Sequence, residues 1–137
     1  HQLPDGSWSF SHVVACKGQC KEPGTASGAR NGATGLALMC FLGAGQTHME
    51  GEYKEPVFKG LSFLLKTMRP TDGPIPNWYV PGANEINGSM YQHGIASIAI
   101  CEAYGMTKDR RLAEAAQLSL DFIVYAQSQE SGGWYYS

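Results

Sequence analysis

Five positions in the first half of this 137-residue chain recur in the second half at one fixed distance. Gly35, Ala37, Ala44, Leu61 and Phe63 return as Gly94, Ala96, Ala103, Leu120 and Phe122, an offset of 59 residues at either end (94 − 35 and 122 − 63). A constant offset of this length marks tandem supersecondary units, each too small to bury its own apolar face and each stable only against a neighbour. The repeat restricts the fold to a stack of like hairpins. It restricts function as well, because activity then belongs to surfaces that the stack creates.

Each copy pairs two unlike helices. From Ala33 to about Gly43 the run Leu36 to Leu42 leaves no polar face, the pattern of a helix buried on all sides, with Thr34 as the expected cap and Gly43 or Gly45 as the expected stop. Its partner, from about Glu55 to Met68, is amphipathic: Val57, Leu61, Leu64 and Met68 fall on one side and Lys54, Lys59 and Lys66 on the other, with Pro56 suited to the first turn. The second copy repeats the contrast. Tyr91 to Gly105 is almost wholly apolar, and Asp109 to about Gln127 carries Leu112, Ala116, Ser119, Phe122 and Ile123 opposite Arg110, Arg111, Glu114, Gln117 and Asp121. The expected fold is all-α, with antiparallel inner and outer helix pairs forming two concentric layers. Repeat units cover about 33–90 and 91–137, after a lead-in of 1–32.

Long irregular stretches separate these helices. Residues Trp8 to Gly32 hold four Gly and one Pro among short polar residues, and Pro70, Gly73, Pro74, Pro76, Pro81 and Gly82 exclude regular helix from about Arg69 to Gly88. Loops of such length are commonly functional or disordered, which makes the lead-in a place to look for a site. A net charge of −2, with no Lys/Arg run, gives no electrostatic reason to expect nucleic acid or an anionic membrane. No apolar run approaches the roughly 20 residues that span a bilayer. Asp5-Gly6-Ser7-Trp8 has the look of the tail of an earlier repeat, so 1–137 reads as a single segment excised from a longer protein.

Alternating inner and outer helices closed by Gly-Trp turns resemble the prenyltransferase and squalene-oxidase repeat of the terpenoid-cyclase α/α toroid. Phe122-Ile123, Gln127 or Gln129, Gly132 and Trp134 are similar to the turn motif of that family, although neither Gln stands at the usual spacing. In the first copy Phe63-Leu64 fits, Met68 replaces the Gln, and a Pro-rich insert precedes Trp78. The segments Leu42 to His48 and Ala99 to Tyr104 resemble squalene-cyclase-like repeat proteins of planctomycete bacteria, a likeness that implies no particular reaction. A shorter one, Asp121 to Trp134, is to the α/α-barrel pectate lyases. The fold these likenesses imply is a partial α/α toroid in which Trp8, Trp78 and Trp134 clamp helix ends.

Chemistry is sparser. Squalene-hopene cyclases protonate an alkene with an Asp-x-Asp-Asp acid, and no such cluster occurs here. Toroid enzymes with zinc use Cys, His and Asp ligands around an open position. The nearest set is His12, Cys16 and Cys20, with His48 or His93 as further candidates, but the spacing is not that of a standard finger or ribbon, and it favours free thiols over either zinc or a Cys16–Cys20 disulfide. Gly24, Gly28 and Gly32 lack the strand and the Gly-Lys-Ser/Thr ending of a phosphate loop. The expectation is a ligand- or protein-binding repeat domain with Asn31, His48, Tyr91, Gln92 and His93 on the cavity side and no required cofactor. For His93 a capping or packing role is the favoured reading, because no nucleophile or carboxylate accompanies it in sequence. The alternative is part of a terpene-cyclase-like or polysaccharide-lyase-like enzyme whose catalytic residues lie outside this segment. Expected partners are an apolar small molecule or protein segment, and further repeats or a second copy.

Overall fold

The computed structural model describes residues 1–22, 24, 26–71, 78–79 and 89–135. These residues are mainly helical: α1 (Val13–Cys16), α2 (Arg30–Gly43), α3 (Lys54–Thr67), α4 (Ser89–Thr107) and α5 (Arg110–Tyr125), with β1 (Arg69–Pro70) and β2 (Trp78–Tyr79) between α3 and α4. The two strands pair antiparallel, Arg69 opposite Tyr79 and Pro70 opposite Trp78, and β2 lies against α5. The remainder of the Pro-rich stretch lies outside the described residues.

The four long helices fall where the apolar pattern places them, with shifts at their ends. Helix α2 starts at Arg30, so Thr34 is inside it and does not cap it. Its hydroxyl instead accepts the backbone N–H of Trp8 at 3.0 Å, tying the lead-in to the helix. The stop is as expected: α2 ends at Gly43, and Gly45, at φ 76°, donates its N–H to Leu42 O. Asp109 caps α5, accepting the N–H of Arg111 at 3.0 Å.

One apolar core joins all four. Leu38 and Leu42 of α2, Val57, Leu61 and Leu64 of α3, Ala96, Ala99, Ile100 and Ala103 of α4, and Leu112, Ala115 and Ala116 of α5 are buried together. Contacts between α2 and α4 advance in the same direction along both: Gly32 meets Gln92, and Gly35 meets Ile95 and Ala96. Contacts between α2 and α3 run the opposite way, Asn31 meeting Thr67 and Leu38 meeting Gly60. The α2–α4 approach is close enough that a Cβ on Gly35 would stand 2.9 Å from Ile95 Cγ2 and 3.1 Å from Ala96 Cα. Only glycine fits there.

Two of the Gly-Trp turns lie against helices, while the side chain of Trp78 lies outside the described residues. Gly6, at φ 90°, lies against the backbone of Lys59, and Trp8 packs beside Gly60 and on Phe41, with ring centroids 5.9 Å apart. Gly132 has φ 70°, and Trp134 donates its indole N–H to Ile123 O at 2.7 Å. One expectation does not hold: α2 and α4 are not buried on all sides. Leu36 and Cys40 on α2, and Tyr91 and Ile98 on α4, are exposed, because no described neighbour covers those faces.

Candidate functional site

An open apolar groove of about 530 Å³ lies at the start of α4. Met90, Tyr91, Gly94, Ile95 and Ile98 form its floor, Ile123 of α5 one wall, and Trp134 and Tyr135 of the following turn the other. Tyr91 is 63% exposed and Ile98 53%, unusually high for residues on an otherwise apolar helix. Helical spacing aligns residues 91, 94, 95 and 98 on one face, and the Trp134–Ile123 hydrogen bond holds the turn beside it.

Of the five residues anticipated on a cavity side, Tyr91 alone lines this groove. Asn31 and Gln92 are buried near the same end of the bundle. The Thr67 hydroxyl lies 3.2 Å from Asn31 Oδ1, and Gln92 Oε1 accepts the Gly32 N–H at 3.4 Å. His93 is fully buried between α4 and α5. His48 sits beyond the other end of α2, about 20 Å away for a helix of this length. Sequence reasoning passed over Ile98, Trp134 and Tyr135 as site residues, and took Gly94 only as a point of close approach. The signal that points to Gly94 is the 59-residue offset, which makes it the counterpart of the closely packed Gly35.

His93 has a fixed role in packing. Its Nε2 lies 3.0 Å from Ser119 O and 3.1 Å from Ser97 Oγ. A carbonyl can only accept, so Nε2 carries the proton. The ring stands edge-on to Phe122, centroids 4.7 Å apart, and burial pushes its pKa down to about 4, opposed only by the Ser119 carbonyl. It is neutral at physiological pH.

At the far end, His48 Nε2 donates to Asp109 Oδ2 at 2.9 Å, joining the loop after α2 to the cap of α5. Both side chains are largely buried, and Arg111 holds the Asp109 carboxyl below the usual carboxylate range through its side chain and its backbone N–H, with His48 adding to the effect. The two residues border a second groove of about 300 Å³, whose other lining includes Phe58, Leu61, Leu65 and Leu112. His48 Nδ1 is buried and has no hydrogen-bond partner. The His48–Asp109 hydrogen bond thus joins the loop after α2 to the cap of α5, with both residues at the edge of this groove.

The lead-in builds a third constellation. His12 and Cys16 stand four residues apart across the single turn α1, and positive φ at Lys17 (52°) and Gly18 (76°) reverses the chain so that Cys20 returns to Cys16. One ligand atom from each of the three lies within 4.8 Å of the others, a group able to hold a metal ion. Neither His48 nor His93 joins it. The four cysteines are free thiols, and the Cys16 thiol is lowered by its hydrogen bond with Cys20. No family model, curated protein or solved structure matches the chain, so each of these sites stands on its own geometry.

Proposed function

We propose that the chain is a ligand- or protein-binding segment of an α/α toroid of the squalene-cyclase-like kind. In this reading α2 and α4 are inner helices, α3 and α5 are outer helices, and each inner–outer pair is antiparallel. The opposed run of contacts from Asn31–Thr67 to Leu38–Gly60, and the shared run along α2 and α4, support that arrangement. The observation that carries the function is the apolar groove on α4, walled by two aromatic residues and with no carboxylate, histidine, thiol or amine side chain among its described lining. Such a surface takes an apolar small molecule or the apolar face of a protein segment. The direct test is titration with the fluorescent probe 1-anilinonaphthalene-8-sulfonate, at protein concentrations low enough to keep the chain monomeric. Saturable binding is expected, lost in Ile98→Glu and retained in Phe58→Ser of the second groove. An Ile98→Glu protein that binds the probe as the unaltered chain does would remove the groove from consideration.

The His12, Cys16 and Cys20 group is assigned zinc. One imidazole and two thiols are a borderline-soft donor set, and tetrahedral zinc with bonds of about 2.3 Å holds its sulfur ligands roughly 3.8 Å apart, compatible with the 4.8 Å limit observed. Bound there, zinc would pin the turn of the lead-in by uniting α1 with the chain after Gly18. Cobalt substitution is expected to give the intense visible bands of a tetrahedral thiolate site, lost in Cys16→Ser and Cys20→Ser. Freely titrating thiols and no stoichiometric metal after zinc loading would overturn the assignment.

A further inference from the structure

Gly94 lies in the second turn of the long helix α4, inside its hydrogen-bonded body, with open space where its side chain would be. A glycine there costs the helix about 1 kcal/mol relative to alanine, and no contact among the described residues requires it. Its counterpart 59 residues earlier explains it. Gly35 faces α4 so closely that no side chain fits, and Gly32, the counterpart of Tyr91, is covered by Gln92. The groove on α4 therefore occupies the same place on its helix as the α2 surface against which α4 packs.

The complementary half of that contact is also duplicated. Helix α4 meets α2 through Gln92, Ile95 and Ala96, whose counterparts on α2 are Ala33, Leu36 and Ala37. Ala33 is buried, but Leu36 is 41% exposed, and Cys40, one turn further on, is exposed as well. The chain thus carries both halves of the α2–α4 contact twice, and uses each once.

Resting on the reading of the groove as a binding surface, we infer that its occupant is the Leu36–Cys40 face of α2 from a second copy of this chain, docked head to tail. Gly94 receives Leu36 and Ala37 of the incoming helix, as Gly35 receives Ile95 and Ala96 within one copy. Continuing that register by one turn sets Cys40 of the incoming copy opposite Ile98. The two contact surfaces differ, so the association is heterologous and each added copy presents a fresh groove. Tyr91, Trp134 and Tyr135 supply apolar area at the rim.

The test uses the register. Ile98→Cys, oxidised under mild conditions, is expected to form an intermolecular bridge between the introduced thiol and Cys40, identified by mass spectrometry of the joined peptides and lost when Cys40→Ser is added. In sedimentation the unaltered chain is expected to associate with rising concentration, and Gly94→Leu to weaken this by about ten-fold or more while helical content stays constant. A bridge between two copies of position 98 would show symmetric pairing and overturn the proposal. So would a chain that stays monomeric at every concentration tested. Probe binding that still depends on Ile98, without the Cys40 bridge, leaves the groove a binding surface and removes only the second copy as its occupant. Loss of both removes the groove itself.

Discussion

Helices α2 and α4 are two editions of one sequence, and one is covered where the other is bare. Gly35 is pressed against Ile95 and Ala96, while Gly94, its counterpart, faces open space. The same residue at the same repeat position therefore has opposite energetic meaning. In α2 its conformational cost is offset by the close approach of a neighbouring helix, and in α4 that offset is missing within a single copy. Conformity to the repeat is thus separable from contribution to the stability of one chain.

The sharpest way to break this comparison is to fill both positions with the same side chain. Gly35→Leu forces α2 and α4 apart and is expected to lower the unfolding free energy by about 3 kcal/mol, a large part of the stability of a domain of this size. A Cβ at position 94 meets no atom within 4 Å, and Gly94→Leu is expected to leave the dilute, monomeric chain within about 0.5 kcal/mol of its original stability. Urea denaturation of the pair decides the matter. Equal losses at the two positions would mean that α4 is covered within one copy after all.

Another repeat-equivalent pair sharpens the contrast through pH. Thr34 and His93 share a repeat position and are both fully buried, but Thr34 accepts the Trp8 N–H whereas His93 donates to Ser119 O. The unfolded chain protonates its histidine near the ordinary 6.5, and folded His93 resists protonation until about 4. The unfolded state consequently binds more protons in that window. The stability that depends on neutral His93 is complete above pH 6.5 and is lost as pH falls toward 4, by an amount on the order of 2–3 kcal/mol. His93→Gln is expected to flatten stability across this window. The Asp109 carboxyl, held low chiefly by Arg111, releases its own share at lower pH still. An unchanged slope in His93→Gln would place the titrating group elsewhere.

Helix positions were legible because apolar spacing is a local record of burial. The expected ranges for α3 and α5 agree with Lys54–Thr67 and Arg110–Tyr125 to within two residues at each end. The start of α2 was misread because Thr34 has the chemistry of a cap, while its actual partner, Trp8, is 26 residues away and invisible to local pattern. The lead-in was read as irregular, and one turn of helix with two positive φ angles is too short to leave a periodic signal. Of the site residues, His12, Cys16 and Cys20 were found by ligand type, and the structure brings them together. His48 and His93 were conspicuous as titratable groups, but their partners Asp109 and Ser119 come from the cap of α5 and from α5 itself, so their roles depended on tertiary contacts. The groove was hidden for the opposite reason. Its residues look like ordinary core, and exposure shows only when a neighbour is seen not to cover them.

The smallest expected effect is also the most discriminating, because it has a different sign at the two glycines. Gly94→Ala replaces the poorest non-proline helix former with the best at a site free of steric demand, and should stabilise the dilute monomer by about 0.5–1 kcal/mol. Gly35→Ala brings the same gain in helix propensity, but sets its methyl group 3.0 Å from Ile95 O and should be a net loss. Thermal unfolding at several dilutions separates the two contributions. The Gly94→Ala gain should shrink or reverse at concentrations where copies associate, since the added methyl then enters a contact matched to glycine. A gain that stays constant with concentration would leave this glycine without a role in association.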